Sequence, residues 1–242
     1  MSPATIAIIP TRLGSTRFPG KALAAETGMP LILHVAQAVS ASDRIDRIIV
    51  ASENPEIEAV CREAGVEHAM TAPTHENGSS RIAEVASGLD ASVILNIQGD
   101  EPEIEAEVMD ATLEALDRDP EAGVATAATP WPPDCDPSDP NIVKVVCDQQ
   151  GRALYFSRAA IPHECGPHMR HVGIYAYRPQ VLQDYARMQA TPLEQAERLE
   201  QLRLLEHGIP MTVAKVPTAH PGIDTPSQYA DFVHRFQSKL SD

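Results

Sequence analysis

The chain has 242 residues, 43% of them apolar, and a formal charge of −15. That length suits one large domain, or one domain with an elaboration; the charge excludes a generic nucleic-acid binder, which needs a basic face, and no apolar run approaches the ~18–20 residues of a membrane span. The start, "MSPATIAIIPTR", has no basic region before its apolar stretch and no small-residue cleavage site, so a cytoplasmic address is expected.

In chain order, "TIAIIP" (5–10) is an apolar strand and "LILHVAQAVSA" (31–41) a helix with a buried face after Pro30. "RIIVAS" (47–52) is a strand. "NPEIEAVCREAG" (54–65) has an Asn cap, Pro in the first turn, early acids and a closing Gly, a full set of helix start and stop signals. "VEHAM" (66–70) is a brief strand, "SSRIAEVASGL" (79–89) a helix opened by Ser, "SVILNIQGDEP" (92–102) an apolar strand running into an acidic loop, and "EAEVMDATLEALDRD" (105–119) a helix. This alternation predicts βαβ units and an α/β fold with a mostly parallel central sheet flanked by helices. After about residue 124 the pattern changes. "GVATAATP" (123–130), "NIVKVVCD" (141–148), "RALYFSR" (152–158) and "HVGIYAYR" (171–178) read as strands joined by turns, and the Pro/Asp-rich "WPPDCDPSDPN" (131–141) fits no regular element. "TPLEQAERLEQLRLLEHG" (191–208) reads as one helix capped by Thr191 and stopped by Gly208. "MTVAKV" (211–216) is a strand, and Thr225 caps a last helix over 225–240. The expectation is a single domain over 1–242 with an antiparallel extension in its second half. Cys61, Cys135, Cys147 and Cys165 make no C-x-x-C pair and read as free thiols.

The first strand runs into "IIPTRLGSTRFPGKAL" (8–23), where Arg12, Arg17 and Lys21 cluster in an acidic chain. "GSTRFPGK" is close to a P-loop but misses it twice: Gly14 stands one residue too early, and Ala22 replaces the metal-binding hydroxyl. A loop at the carboxyl end of the first parallel strand is nonetheless where open α/β sheets bind ligands. There the three cations would surround a polyphosphate, with Gly14 and Gly20 letting backbone N–H groups approach. The other reading is a solvated basic turn. "NIQGDEP" (96–102) places Asp100 and Glu101 at the end of a buried strand, either as acidic decoration or as a hard-cation site, since Mg²⁺ prefers carboxylate oxygen and substrate phosphates. Asp224 in "GIDTP" (222–226) is a second carboxylate or an ordinary helix opener, and "HENGSSRIAEV" (75–85) is a helix start able to bind anions or base edges, or simply a cap. "LYFSRAAIP" (154–162) and "MRHVGIYAYR" (169–178) carry Arg158, Arg170, His171, Tyr175 and Tyr177; a lone His on a strand is more often a satisfied core residue than a catalyst. No residue presents itself as a general base.

Taken in order, "IIPTRLGSTRFPGKAL", "NIQGDEP", "NIVKVVCD", "ALYFSRAAIP", "HVGIYAYR", "TPLEQAERLEQLRLLEHG" and "GIDTP" resemble the 3-deoxy-manno-octulosonate (Kdo) cytidylyltransferase family over nearly the whole chain. The resemblance implies a nucleotide-diphospho-sugar transferase type of fold with a smaller dimerising and sugar-binding extension at about 130–190. It also implies a homodimer, CTP and an anionic sugar acid as substrates, and a product used in lipopolysaccharide synthesis. By that likeness Arg12, Gly14, Ser15, Arg17 and Lys21 handle the CTP phosphates, while His75, Gly78, Ser79, Arg81 and Gln98 recognise cytidine. Asp100 and Asp224 bind Mg²⁺. Lys21, Arg17 and the two aspartates carry the catalysis, and Arg158, His171, Tyr175, Glu200, Gln201 and Arg203 meet the acceptor. Two departures stand out: "GSSR" where the family has Gly-Thr-Glu-Arg, and a shortened "IPHECGPHMRHVG" where the family has a longer loop with an aromatic residue. Cytidylyl transfer to another acceptor, an amino-substituted Kdo or a phosphonate, and a non-catalytic nucleotide-binding homologue therefore stay open. The reading requires that Asp100 and Asp224, distant in sequence, meet at the first loop.

Overall fold

The apolar run Ile6–Ile9 is buried from end to end, as a strand covered on both faces must be. In the computed structural model, which describes residues 4–14, 16–133, 135–163 and 168–241, this run forms β1 (Ala4–Pro10). A 3₁₀ turn (Lys21–Leu23) follows, then α1 (Leu31–Val39), β2 (Arg47–Ser52), α2 (Pro55–Glu63), β3 (Glu67–Met70), α3 (Gly78–Ala86) and β4 (Ala91–Asn96). The second half contributes α4 (Ala106–Arg118), β5 (Val124–Pro130), β6 (Lys144–Cys147), β7 (Ala153–Ser157), β8 (Met169–Tyr177), α5 (Pro179–Tyr185), α6 (Pro192–Glu197), α7 (Gln201–Glu206), β9 (Met211–Lys215) and α8 (Pro226–Ser241). Two compact units result. One holds the residues up to Ala91, Asn96–Ala106 and the chain from His220 onward; the other holds Ser92–Leu95 and Glu107–Ala219. No helix among the described residues is long and apolar enough to cross a membrane.

In the first unit β1, β2 and β3 pair in parallel, with Ile8 beside Ile49 and Ile49 beside Glu67. Parallel neighbours need a crossover, and α1 and α2 supply it. The chain returns to this unit at its end. Tyr229 and Phe232 of α8 are buried with Leu31 and Ile223, and Phe18 of the first loop packs on that cluster. The Phe18 and Tyr229 rings lie 5.5 Å apart, and the Tyr229 hydroxyl accepts a bond from the Glu26 N–H at 3.0 Å. The last helix therefore braces the loop that follows the first strand. Its cap is the expected one: the Thr225 hydroxyl accepts from the Gln228 N–H at 3.3 Å, and Gln228 Oε1 accepts from the Thr225 N–H at 3.0 Å.

Two other caps differ from expectation. Asn77, not a serine, caps α3, its Oδ1 accepting from the Ser80 N–H at 2.8 Å. Asn54 precedes α2 but makes no side-chain cap there; its Oδ1 accepts instead from the Leu13 N–H at 3.2 Å. The loop lacks a local partner for that donor, and a buried N–H demands one.

In the second unit β5 runs parallel to β9 and antiparallel to β8, and β6 is antiparallel to both β7 and β8. The antiparallel strands thus sit in the second half, as the change of pattern predicts. The register of β5 on β8 shifts between Thr126 and Ala127. The Thr126 hydroxyl fills this irregularity, bonding Ile174 O at 2.7 Å. The single helix expected over 191–208 is broken. Helix α6 ends at Arg198, which is left-handed (φ 55°), and α7 starts at Gln201. The break is stabilised from outside the segment: the Arg158 guanidinium donates to Glu197 O at 2.9 Å, satisfying a helix-end carbonyl that would otherwise need the next turn. Free thiols are observed at Cys61, Cys135 and Cys147; Cys165 lies outside the described residues.

Gly123 leads into β5 where nothing larger fits. A Cβ there would stand 2.8 Å from Cγ2 of both Val181 and Ile209, and β-branched side chains have little rotamer freedom with which to retreat. Gly123→Ala is expected to lower the unfolding free energy by about 1–3 kcal/mol, read from urea denaturation followed by circular dichroism.

Candidate active site

Four stretches of the first unit close on one another. Gly99 presses against the end of β1: a Cβ at that position would lie 2.9 Å from Pro10 O and 3.1 Å from Thr11 Oγ1. Only glycine permits that approach, and it fixes "NIQGDEP" beside the first loop. Gly78 lies on Pro10 from the other side, its Cβ position 3.2 Å from Pro10 Cγ and 4.0 Å from Gln98 Oε1. "GIDTP" is tied in by the Ile223 N–H donating to Asp100 O at 2.8 Å.

Lys21 sits where these pieces meet. The left-handed Gly20 (φ 72°) opens its 3₁₀ turn, and Ala24 N–H closes it on Lys21 O at 3.1 Å. The ammonium lies 2.7 Å from Asp100 Oδ2, 2.5 Å from Ile223 O and 3.8 Å from Asp224 Oδ1. Asp224 also pairs with Arg17 at 2.8 Å in an exposed bridge. The two aspartates, distant in sequence, therefore meet at Lys21 of the first loop. Arg12 and Gly14 are exposed on the same loop, and Ser15 lies outside the described residues. Glu103 adds an anchor that sequence reasoning missed. Arg235 of α8 holds its carboxylate at 2.6 Å, joining the strand-end loop of Asp100 to the helix that follows Asp224. Burial alone would raise the Glu103 pKa, but the Arg235 bond and the neighbouring cations hold it below the ordinary carboxylate range.

At the start of α3, His75 bonds Ser80 Oγ at 3.2 Å and the Glu84 carboxylate. The His75 bond keeps the Glu84 pKa low. Ser80 and Glu84 lie one turn apart on one helix face, so the triad was readable from spacing, although Glu84 was not singled out. Arg81 is buried, with its guanidinium on Glu53 and the Thr71 hydroxyl. Its guanidinium forms a framework ion pair. Ser79 is buried, and Gln98 is half-buried with its amide 3.5 Å from Asn96 Oδ1.

The candidates in the second unit form a cluster of their own. The His171 ring meets Phe156 at 5.0 Å and Tyr175 at 5.5 Å, and its Nε2 lies 3.0 Å from Thr126 Oγ1. Burial pushes the His171 pKa down to about 3 and the Tyr175 pKa well above its ordinary value, so both are neutral near pH 7. That fits leaving the general-base role unassigned. Arg203 is held bidentate by Glu194 at 2.6 and 2.7 Å and stacks on Tyr185. Arg158 donates to Glu197 O and Pro140 O. Both guanidinium groups are thus engaged by the protein itself. Glu200 opens α7 and Gln201 is buried beside it. Glu197, missed in the sequence, accepts from Ser157 Oγ at 2.7 Å and the Arg158 N–H at 2.8 Å. Its desolvation is outweighed by these bonds, which keep it ionised.

Among the described residues no group of three or more His, Cys, Asp or Glu is gathered to hold a metal. The pair Asp100 and Asp224, with Ile223 O, supplies hard oxygen donors around a position that already holds a cation. That donor set suits Mg²⁺, which usually takes one or two carboxylates and fills its shell with water and substrate phosphate.

Comparison with known proteins follows the same lines. The cytidylyltransferase family profile matches residues 6–213. The 3-deoxy-manno-octulosonate cytidylyltransferase of Herminiimonas arsenicoxydans is 46% identical over 90% of this chain and 93% of its own. That of Halorhodospira halophila is 39% identical over 98% of both. A solved structure of CMP:2-keto-3-deoxy-manno-octonic acid synthetase complexed with CTP superposes with a TM-score of 0.93 at 36% identity, over 98% of this chain and 99% of that one.

The bidentate Arg203–Glu194 pair separates a structural from a ligand-binding role. Both side chains are 10% exposed, so removing one strands a buried charge. Glu194→Ala is expected to cost about 3–5 kcal/mol of stability in a urea denaturation curve.

Proposed function

The chain belongs to the cytidylyltransferase family, and from that premise we propose that it couples CTP to Kdo, giving CMP-Kdo and pyrophosphate. It is a CTP-dependent nucleotidyltransferase; the acceptor and the residue roles are the proposed part. The observation that carries the proposal is the meeting of Lys21, Asp100 and Asp224 at the loop after β1.

The acceptor's anomeric hydroxyl oxygen attacks the α-phosphorus of CTP and gives its proton to solvent; the new O–P bond forms as the bond from the α-phosphorus to the α,β-bridging oxygen breaks, and pyrophosphate leaves. Catalysis of this kind is positioning plus stabilisation of charge on phosphoryl oxygens. Lys21 and Arg17 neutralise the departing pyrophosphate, and exposed Arg12 with the backbone around Gly14 receives the outer phosphates. His75, held by Ser80 and Glu84, and Gly78, Ser79 and Gln98 face the cytidine. Arg81 supports them through its bond to Glu53. Asp100 and Asp224 would hold Mg²⁺, which polarises the α-phosphoryl group when bound. His171, Tyr175, Glu200 and Gln201 line the acceptor site, and Arg158 and Arg203 set its walls through the carbonyl and carboxylate bonds they make. The shortened loop after Ile161–Pro162 lies partly outside the described residues, so the acceptor is inferred from the relatives.

The protein works as a homodimer with the stretch at about 130–190 as its extension. The apolar residues of β6 and β8, Val145, Val172 and Ile174, are buried within the protomer itself, so we assign the contact to β7, where Leu154 is 62% exposed. Sedimentation velocity at micromolar protein is expected to show a dimer for the native chain and a monomer for Leu154→Glu; a native monomer overturns this.

Pyrophosphate release with CTP and Mg²⁺ is expected with Kdo in a panel that includes 8-amino-Kdo and phosphonates. Release with none of them contradicts the assignment. Lys21→Ala is expected to lower kcat by about 10²–10³ with an unchanged circular dichroism spectrum; near-native turnover removes Lys21 from the mechanism.

A further inference from the structure

The ammonium of Lys21 makes the contacts a metal would make. It touches Asp100 Oδ2 and Ile223 O at 2.7 and 2.5 Å and stands 3.8 Å from Asp224 Oδ1. Two oxygens take hydrogen bonds and the third stands at ion-pair distance, and the side chain is only 13% exposed. With Arg17 on Asp224 at 2.8 Å, two carboxylates are balanced by two cations. We infer that Lys21 is a tethered resident cation that shuts the Asp100–Asp224 pair to divalent metal until a triphosphate draws the ammonium away. The inference rests on the nucleotidyltransferase reading above and deepens it: metal entry is coupled to nucleotide through this side chain.

Charge decides the direction. A divalent ion approaching the nucleotide-free pair meets a neutral centre whose oxygens already coordinate an ammonium, so it gains little attraction and faces a like charge at contact distance. A triphosphate reverses this by bringing several negative charges to which Lys21 and Arg17 can turn, uncovering both carboxylates. The local structure allows that exchange without refolding. The Lys21 backbone is pinned in its 3₁₀ turn by Leu23 N–H on Gly20 O and Ala24 N–H on Lys21 O, at 2.9 and 3.1 Å, while the four-carbon stem is flexible and carries a compact point charge. The carboxylates stay in place. Asp100 is held through its own carbonyl by Ile223 N–H at 2.8 Å, and Asp224 by its N–H on Gln228 Oε1 at 2.8 Å. Only the two cationic side chains move.

The test uses Mn²⁺ as probe, with no nucleotide present, and counts free Mn²⁺ by electron paramagnetic resonance. The native chain is expected to bind Mn²⁺ no more tightly than Asp100→Asn. Lys21→Met keeps the stem and removes the charge; it is expected to bind Mn²⁺ about tenfold or more tightly, within the usual range for coupled sites. Lys21→Gln serves as a second uncharged variant, and Lys21→Met with Asp100→Asn should lose the gain. Tight Mn²⁺ binding to the native nucleotide-free chain that Asp100→Asn abolishes overturns the inference, and so do equal affinities in the native chain and the folded Lys21 variants. The native arm decides even where a variant fails to fold. Absence of pyrophosphate release with every acceptor sinks the activity assignment and leaves this readout interpretable by itself.

Discussion

One ammonium group organises the candidate active site. Lys21 must reach Asp100 on one stretch of chain and Ile223 O and Asp224 on another, both far from it in sequence. This constraint dictates what surrounds it. Gly99 has to be glycine so that the strand-end loop can lie on Pro10 and Thr11. The last helix has to return to the first unit, because Asp224 precedes it. Its aromatic face on Leu31 and Phe18 provides the apolar burial that holds it there. Glu103 and Arg235 tie the same two pieces from the far side. A protein of charge −15 repels anions at long range. This one concentrates cations in a single loop and holds two of them in place with carboxylates.

Much of the framework was legible in the sequence because its signals are local. Apolar runs bounded by Gly, Pro and Asn mark β1, β2 and β4, and the Thr225–Gln228 cap reads directly as a helix start. The candidate centre was legible in part, since a basic loop and an acidic loop at strand ends point to one sheet edge. What sequence reading missed depends on partners far along the chain. Asn54 looks like the cap of its own helix, yet its carboxamide serves Leu13. The segment 191–208 carries unbroken helix signals with no Gly or Pro inside it. It breaks at Arg198 because Arg158, from another strand, satisfies the freed carbonyls. Arg81, Arg158 and Arg203 all look like ligand contacts by residue type, and each is engaged by protein oxygen.

The candidates in the second unit make contacts of their own. Its polar candidates lie within a network in which Glu194 and Glu197 hold two arginines and a serine, and a neutral imidazole sits against Phe156 and Tyr175. The Glu194 and Glu197 carboxylates and the arginines on them are satisfied within the protein, which holds those side chains in place.

The central claim is that the loop after β1, the start of α3, the Asp100 loop and the Asp224 segment form one triphosphate site. Hydrogen–deuterium exchange on the native chain, with and without CTP and Mg²⁺, tests it most directly. The account predicts that peptides covering 11–23, 75–81, 98–103 and 222–228 gain protection together and over the same range of CTP concentration. Protection confined to other segments, or gained by these four at separate concentrations, would contradict it.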